Sequence, residues 1–146
     1  MANQKLNEEV IKQAPLFRGL DAESAASVIG SMSPVKVIRG HTLFKEGDEG
    51  EKLFVVTEGK LKLGTTSPDG RENLLSILGP GDMFGELSLF DPQPRTSTAT
   101  AVTDAKLVWL SHEQVIGLVT AHPRVALELL QQLAQRLRRS NEVLAD

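Results

Sequence analysis

The chain has 146 residues, 40% apolar and 24% charged, with a formal net charge of −3 and no cysteine. That length and composition suit one globular domain with a real core rather than a disordered segment, and the mild acidity argues against strong nucleic-acid binding by this chain alone. The lack of cysteine removes disulfide frameworks, thiolate zinc sites, iron–sulfur clusters and cysteine nucleophiles, and fits a reducing cytoplasm.

The N-terminus "MANQKLNEEV" is polar and holds no apolar signal-peptide core. No apolar stretch approaches the roughly 20 residues that span a bilayer, so a soluble cytoplasmic protein without membrane contact is expected. "LNEEVIKQAPLF" and "DAESAASVIGSM" predict helices, with Asp21 as N-cap of the second. From Gly40 to Gly85 glycines crowd the chain; "VKVIR" runs up to the first of them, and between them lie "TLFK", "KLFVVTE", "KLKLGTT" and "ENLLSIL". "TSTATAV" and "KLVWLS" follow. Short strands with frequent turn signals predict an antiparallel sandwich or barrel. "SPDG", from Ser67 to Gly70, is a turn in which Pro presets φ and Gly supplies a positive one.

Ser111 followed by Gln114 fits a capping box before "VIGLV". From Pro123 onward the pattern is one long helix, with the proline in the first turn, where its missing N–H costs nothing. Ala126, Leu130, Leu133, Leu137, Ser140 and Leu144 step alternately by four and three, a heptad seam. Packing on its own domain and pairing with a second copy both fit a seam. The polar far side, "QRLRRSNE", favours the second copy. Ser140 interrupts the apolar row, so it sets register or touches something.

His41, His112 and His122 are far apart, and "GHTLFKEGDEGEKLFVVTEG" has one histidine where a cupin-type metal enzyme would pair two. No metal is therefore expected, and no catalytic residue stands out. Glu86 and Arg95 remain, nine positions apart in "FGELSLFDPQPRTSTA". An exposed ion pair of that kind would be worth at most about 1 kcal/mol. Three features speak for more. "LGPGDMFGEL" places glycines before a short apolar helical turn, where backbone N–H groups make an anion site. Arg95 carries paired donors suited to phosphate, and Thr96 and Ser97 add hydroxyls. A carboxylate beside an anion site needs a donor of its own, such as a sugar hydroxyl. The set asks for a phosphate joined to a ribose.

"FGELSLFDPQPRTSTA" resembles the phosphate-binding cassette of cyclic-nucleotide-binding domains, and "IRGHTLFKEGDEG", "SPDGRENLLSILGPGDMFGELSLFDPQPRTSTAT" and "LAQRLRRSNEVLAD" extend the likeness along almost the whole chain. The similarity is to the cAMP receptor protein (catabolite activator) and FNR family of bacterial transcription regulators, of actinobacterial type. It implies a mainly β fold with flanking helices. An antiparallel β-roll or jelly roll with N-terminal helices would occupy residues 1–122, and a dimerisation helix would begin over 123–146. It implies that the backbone at Gly85 and Leu87, with Arg95 and Thr96, holds the cyclic phosphate of cyclic AMP. Glu86 would accept from the ribose 2′-hydroxyl, and Leu63 and Leu75 would line the base. Ser140 of one protomer and Asn141 of the other would meet the adenine, with Arg136 one helical turn earlier. Serine replaces the family's commoner threonine at 140 but keeps a hydroxyl.

The resemblance further implies a non-enzymatic sensor, a homodimer through the C-terminal helix whose geometry the nucleotide tunes. DNA would be bound only through a winged helix-turn-helix that follows the long helix and is not in this chain, so the expectation is a ligand-binding fragment of a regulator. The alternatives are a stand-alone cyclic AMP or cyclic GMP sensor and a dimerisation module without ligand. Haem or iron–sulfur sensing, seen in relatives of the fold, is disfavoured by the absent cysteines and by Arg95.

Overall fold

Pro15 stops the first helix. The computed structural model describes residues 2–86 and 94–145, with the side chains of 7–86 and 94–139. In it α1 spans Ala2–Ile11, and Pro15–Gly19 forms a separate 3-10 turn rather than the continuous helix the sequence suggested. Proline has no N–H to continue the ladder and fits the first turn of a new one. α2 (Ala22–Ser31) follows, and the Asp21 side chain caps it, accepting from the Ser24 N–H at 2.7 Å.

The strands are β1 (Ser33–Val37), β2 (Thr42–Phe44), β3 (Lys52–Glu58), β4 (Leu61–Thr66), β5 (Glu72–Leu78), β6 (Met83–Phe84), β7 (Thr98–Ala101) and β8 (Ala105–Ser111). They form two antiparallel sheets, ordered β1-β8-β3-β6 and β2-β7-β4-β5 among the described residues. The mainly β roll with flanking helices is thus as the sequence implies. α3 (His112–Ala121) and α4 (Pro123–Ala145) complete the chain. The capping box is present: Gln114 N–H donates to Ser111 Oγ at 3.2 Å and Ser111 N–H to Gln114 Oε1 at 2.8 Å.

β3 explains how two cores are joined. Five consecutive residues of "KLFVVTE" are buried, which a strand with one wet face would not allow. Phe54 and Val56 point into the roll with Leu61, Phe84, Ala99 and Leu107. Leu53 and Val55 point the other way, onto Ile11, Leu16, Phe17, Val115, Val125 and Leu129 of the helices. The first sheet is therefore sandwiched, and its outer face carries the helical layer.

Gly19 lets that layer close. A Cβ there would meet the backbone of Arg124 and Val125 at 2.8 Å, so only glycine allows the 3-10 turn to press on the first turn of α4. Val125 and Leu129 of α4 are buried against it, while Leu127, Leu130 and Leu137 are 59%, 60% and 64% exposed. Ala126 and Leu133 are half-buried. One face of α4 thus serves its own domain, and much of the leucine seam stays uncovered. Among the described residues no helix is long and apolar enough to cross a membrane.

Candidate functional site

Arg95 is held by a loop far from it in sequence. Its N–H donates to the Asp48 carbonyl at 2.7 Å, and its own carbonyl accepts from Gly47 N–H at 2.8 Å. The loop between β2 and β3 therefore grips the residue from both sides and directs its side chain inward, leaving it 6% exposed. Nη1 donates to the Gly85 carbonyl at 3.2 Å and Nη2 to the Lys52 carbonyl at 2.9 Å. The guanidinium carbon lies 4.4 Å from the centroid of the Phe44 ring. Gly85 makes this possible. Its φ is +89°, and a Cβ would meet Arg95 Nη1 and the Lys52 carbonyl, each at 2.8 Å. Burial pushes the guanidinium pKa down from its ordinary value, with the Glu86 and Asp48 charges acting against the shift.

Glu86 is 1% exposed. The two residues singled out in the sequence do not pair with each other. Instead Arg136, on α4, donates from Nη1 to Glu86 Oε1 and from Nη2 to the Met83 carbonyl at 3.3 Å. Among the described residues, Glu86 Oε2 and Arg95 Nε are buried without a hydrogen-bond partner. Burial pushes the Glu86 pKa up, outweighing the Arg136 and Arg95 charges that pull it down.

These side chains converge on one small cavity. Glu86, Arg95, Thr96 and Arg136 line it with Gly85 and Leu63, and Phe44, Phe84 and Ser97 complete the wall. Its volume is about 80 Å³, well below the roughly 300 Å³ at the low end of ligand pockets. Arg136 lines it and also borders a polar groove of about 390 Å³ beneath α4. Among the described residues no group of three His, Asp or Glu could hold a metal ion.

Most of the expected site residues are brought together, with differences. Leu75 does not line the cavity and is 59% exposed. It neighbours Ser76, which pairs with Leu63, so alternation turns Leu75 from that face; it is also the unpaired residue at a β-bulge, where Gly64 pairs Leu74. Leu87 and the short helical turn after Gly85 lie outside the described residues. Ser140 and Asn141 sit on the α4 backbone, and their side chains lie outside the described set. Phe44 and Phe84 were not foreseen as site residues. Each is an apolar residue in a strand beside charged ones, Phe44 in "TLFKE" and Phe84 in "DMFGE", a pattern that reads equally well as core.

The raised Glu86 pKa has a measurable sign. The folded protein binds the carboxyl proton more tightly than the unfolded chain, so this group's stabilising contribution is full below the ordinary glutamate pKa. It is lost as pH rises through the folded value. Glu86→Gln is therefore expected to raise the melting temperature of the ligand-free protein at neutral pH and to leave the melt less pH-dependent. Parallel thermal melts of both proteins between about pH 4 and 8 measure the difference, and superimposable curves would refute it.

Residues 34–122 match the family model of the cyclic nucleotide-binding domain. The CRP-like cAMP-activated global transcriptional regulator of Mycobacterium tuberculosis is 45% identical over 139 residues, 95% of this chain and 62% of that protein. The N-terminal domain of a transcriptional regulator from Streptomyces coelicolor is 52% identical, with a TM-score of 0.76 over 92% of this chain and 94% of that one. The Thermus thermophilus catabolite activator protein gives a TM-score of 0.85 at 37% identity, over 90% of this chain and 62% of that one. The chain spans about three-fifths of the length of the curated regulator it matches.

Proposed function

The chain belongs to the cyclic nucleotide-binding domain family, with CRP-like regulators among its homologues, and on that basis we propose that it is the cyclic AMP-sensing module of a cytoplasmic CRP-like transcription regulator. One observation carries the reading. Two opposite charges, Arg95 and Glu86, line a single cavity, both almost fully buried, and each keeps a polar atom with no partner among the described residues. A lone anion would need the first and a lone sugar the second. A cyclic phosphate fused to a ribose uses both: the phosphate takes Arg95, Thr96 and the backbone at Gly85 and Leu87, and the 2′-hydroxyl donates to Glu86.

The base then lies toward Leu63 and α4, where the Ser140 hydroxyl and Asn141 of a second protomer meet the adenine. Leu75 joins that wall only through a change at the β4–β5 bulge. Entry of the nucleotide moves Arg136 off its present place, and because Arg136 belongs to α4, occupancy and helix geometry become one equilibrium. The nucleotide shifts that equilibrium by its differential affinity for the two arrangements. In a homodimer through α4 the shift changes the spacing of whatever follows the two helices. In the intact regulator DNA reading belongs to a winged helix-turn-helix after α4. The module binds and transmits, without catalysis and without a metal.

Calorimetric titration with cyclic AMP, cyclic GMP and 2′-deoxy cyclic AMP tests this. Cyclic AMP is expected to bind most tightly and to raise the melting temperature, and Glu86→Gln to narrow the gap between cyclic AMP and its 2′-deoxy analogue. No heat and no stabilisation with either ribonucleotide would overturn the sensor reading in favour of a dimerisation module. Tighter binding of cyclic GMP would overturn the assignment to cyclic AMP.

A further inference from the structure

Arg95 and Glu86 face one cavity and do not meet. In a medium of low effective dielectric, opposite charges gain by closing, and an unpartnered buried carboxylate oxygen adds to that drive. Something holds the guanidinium off. The Gly85 and Lys52 carbonyls fix two of its nitrogens, but two hydrogen bonds along one edge leave the plane free to swing about that edge. Two rings face it: Phe44, 4.4 Å from the guanidinium carbon, and Phe54, at 5.8 Å, and the nearer limits that swing.

Phe44 is itself well anchored. Its ring lies 5.9 Å from that of Phe54 and 6.0 Å from that of Phe84, and those two stack at 5.3 Å. The pairing of β2 with β7 shifts between Thr42 and Phe44, so that Phe44 opposes the buried Ala99 and turns its ring inward. The aromatic trio is a rigid floor, and its one half-buried member carries the guanidinium.

We propose that Phe44 is a positioning residue for ligand recognition: its ring face holds the Arg95 guanidinium off Glu86, so that Arg95 Nε and Glu86 Oε2 stay open to a single ligand. The inference rests on the cyclic nucleotide reading of the cavity. Without the ring face, Arg95 closes onto Glu86 Oε2, and a nucleotide must first break that ion pair. Phe44 therefore acts on affinity through Arg95, with no contact to the ligand required.

Graded fluorination of the ring at position 44 tests this, because mono-, di- and trifluorophenylalanine weaken the negative ring face with little change of shape. Cyclic AMP affinity is expected to fall stepwise along the series, by about tenfold at the trifluoro member. In the ligand-free protein, a carbon-13 NMR titration of the Glu86 carboxyl is expected to show its pKa descending over the same series as Arg95 closes on it. Phe44→Leu is expected to show both effects, and Phe44→Tyr to restore wild-type behaviour. A flat fluorination series in a protein that binds cyclic AMP would overturn the proposal, even if Phe44→Leu lost affinity, because that pattern marks space filling alone. If the unaltered protein binds no cyclic nucleotide, the nucleotide reading fails by itself. The ligand-free Glu86 titration then still decides for or against Phe44.

Discussion

Replacing Arg95 with alanine is expected to lower cyclic AMP affinity roughly ten- to a hundredfold. A hydrogen bond to a charged group contributes about 1.5–3 kcal/mol, and among the described residues no other positive charge lies so deeply buried in the cavity proposed for the cyclic phosphate. The folded protein should change far less. Arg95 already bears the cost of burial with Nε unpartnered, and the Gly85 and Lys52 carbonyls it leaves lie beside cavities that water can enter. Relief of the first offsets loss of the second. The signature is therefore a large drop in affinity with a small shift in melting temperature. Arg95→Lys should fall between, since it keeps the charge but loses the planar fork. Calorimetry at fixed salt, paired with thermal melts, reads both quantities. Wild-type affinity in the alanine variant would remove Arg95 from the site, and a collapse of stability equal to the binding loss would make it a structural residue.

The sequence carried the local parts of this arrangement well and the long-range parts poorly. Strand-forming runs, the Ser111–Gln114 box and the Asp21 cap each depend on residues within a few positions of one another, so spacing alone exposes them. β6 escaped notice because its two residues offer no alternation to detect. The unbroken apolar run of β3 was legible as a strand, but that it serves two cores follows only from what packs on each side. In the site, Arg95 and Glu86 stood out as charges set among glycines and apolar residues. That they would lie together yet unpaired was hidden, because Glu86's partner, Arg136, is fifty positions away on another element. Leu75 was expected from the family resemblance alone; it is the unpaired residue at the register shift between Leu63 and Gly64 and stands exposed.

The helix α4 supports the second large effect, loss of the dimer in Leu137→Lys. Leu130 and Leu137 are 60% and 64% exposed on the isolated chain, one heptad apart on the stripe that the sequence marks as a seam. The opposite requirement, packing on its own domain, is already met by Val125 and Leu129. A helix that has satisfied its intramolecular face and still displays leucines in heptad register fits a second copy of itself. At Leu137 a lysine would set like charges against each other across that seam and remove a buried leucine from each side, a change of about 2–5 kcal/mol per deleted core side chain in well-packed sites. Wild-type protein is expected to sediment as a dimer and the variant as a monomer at the same concentration, with the β-roll still folded by circular dichroism. Cyclic AMP affinity should fall with it, because in the proposed dimer Asn141 of the other protomer meets the base. A variant that stays dimeric would place the interface elsewhere, and a monomer with undiminished affinity would confine the whole site to one chain.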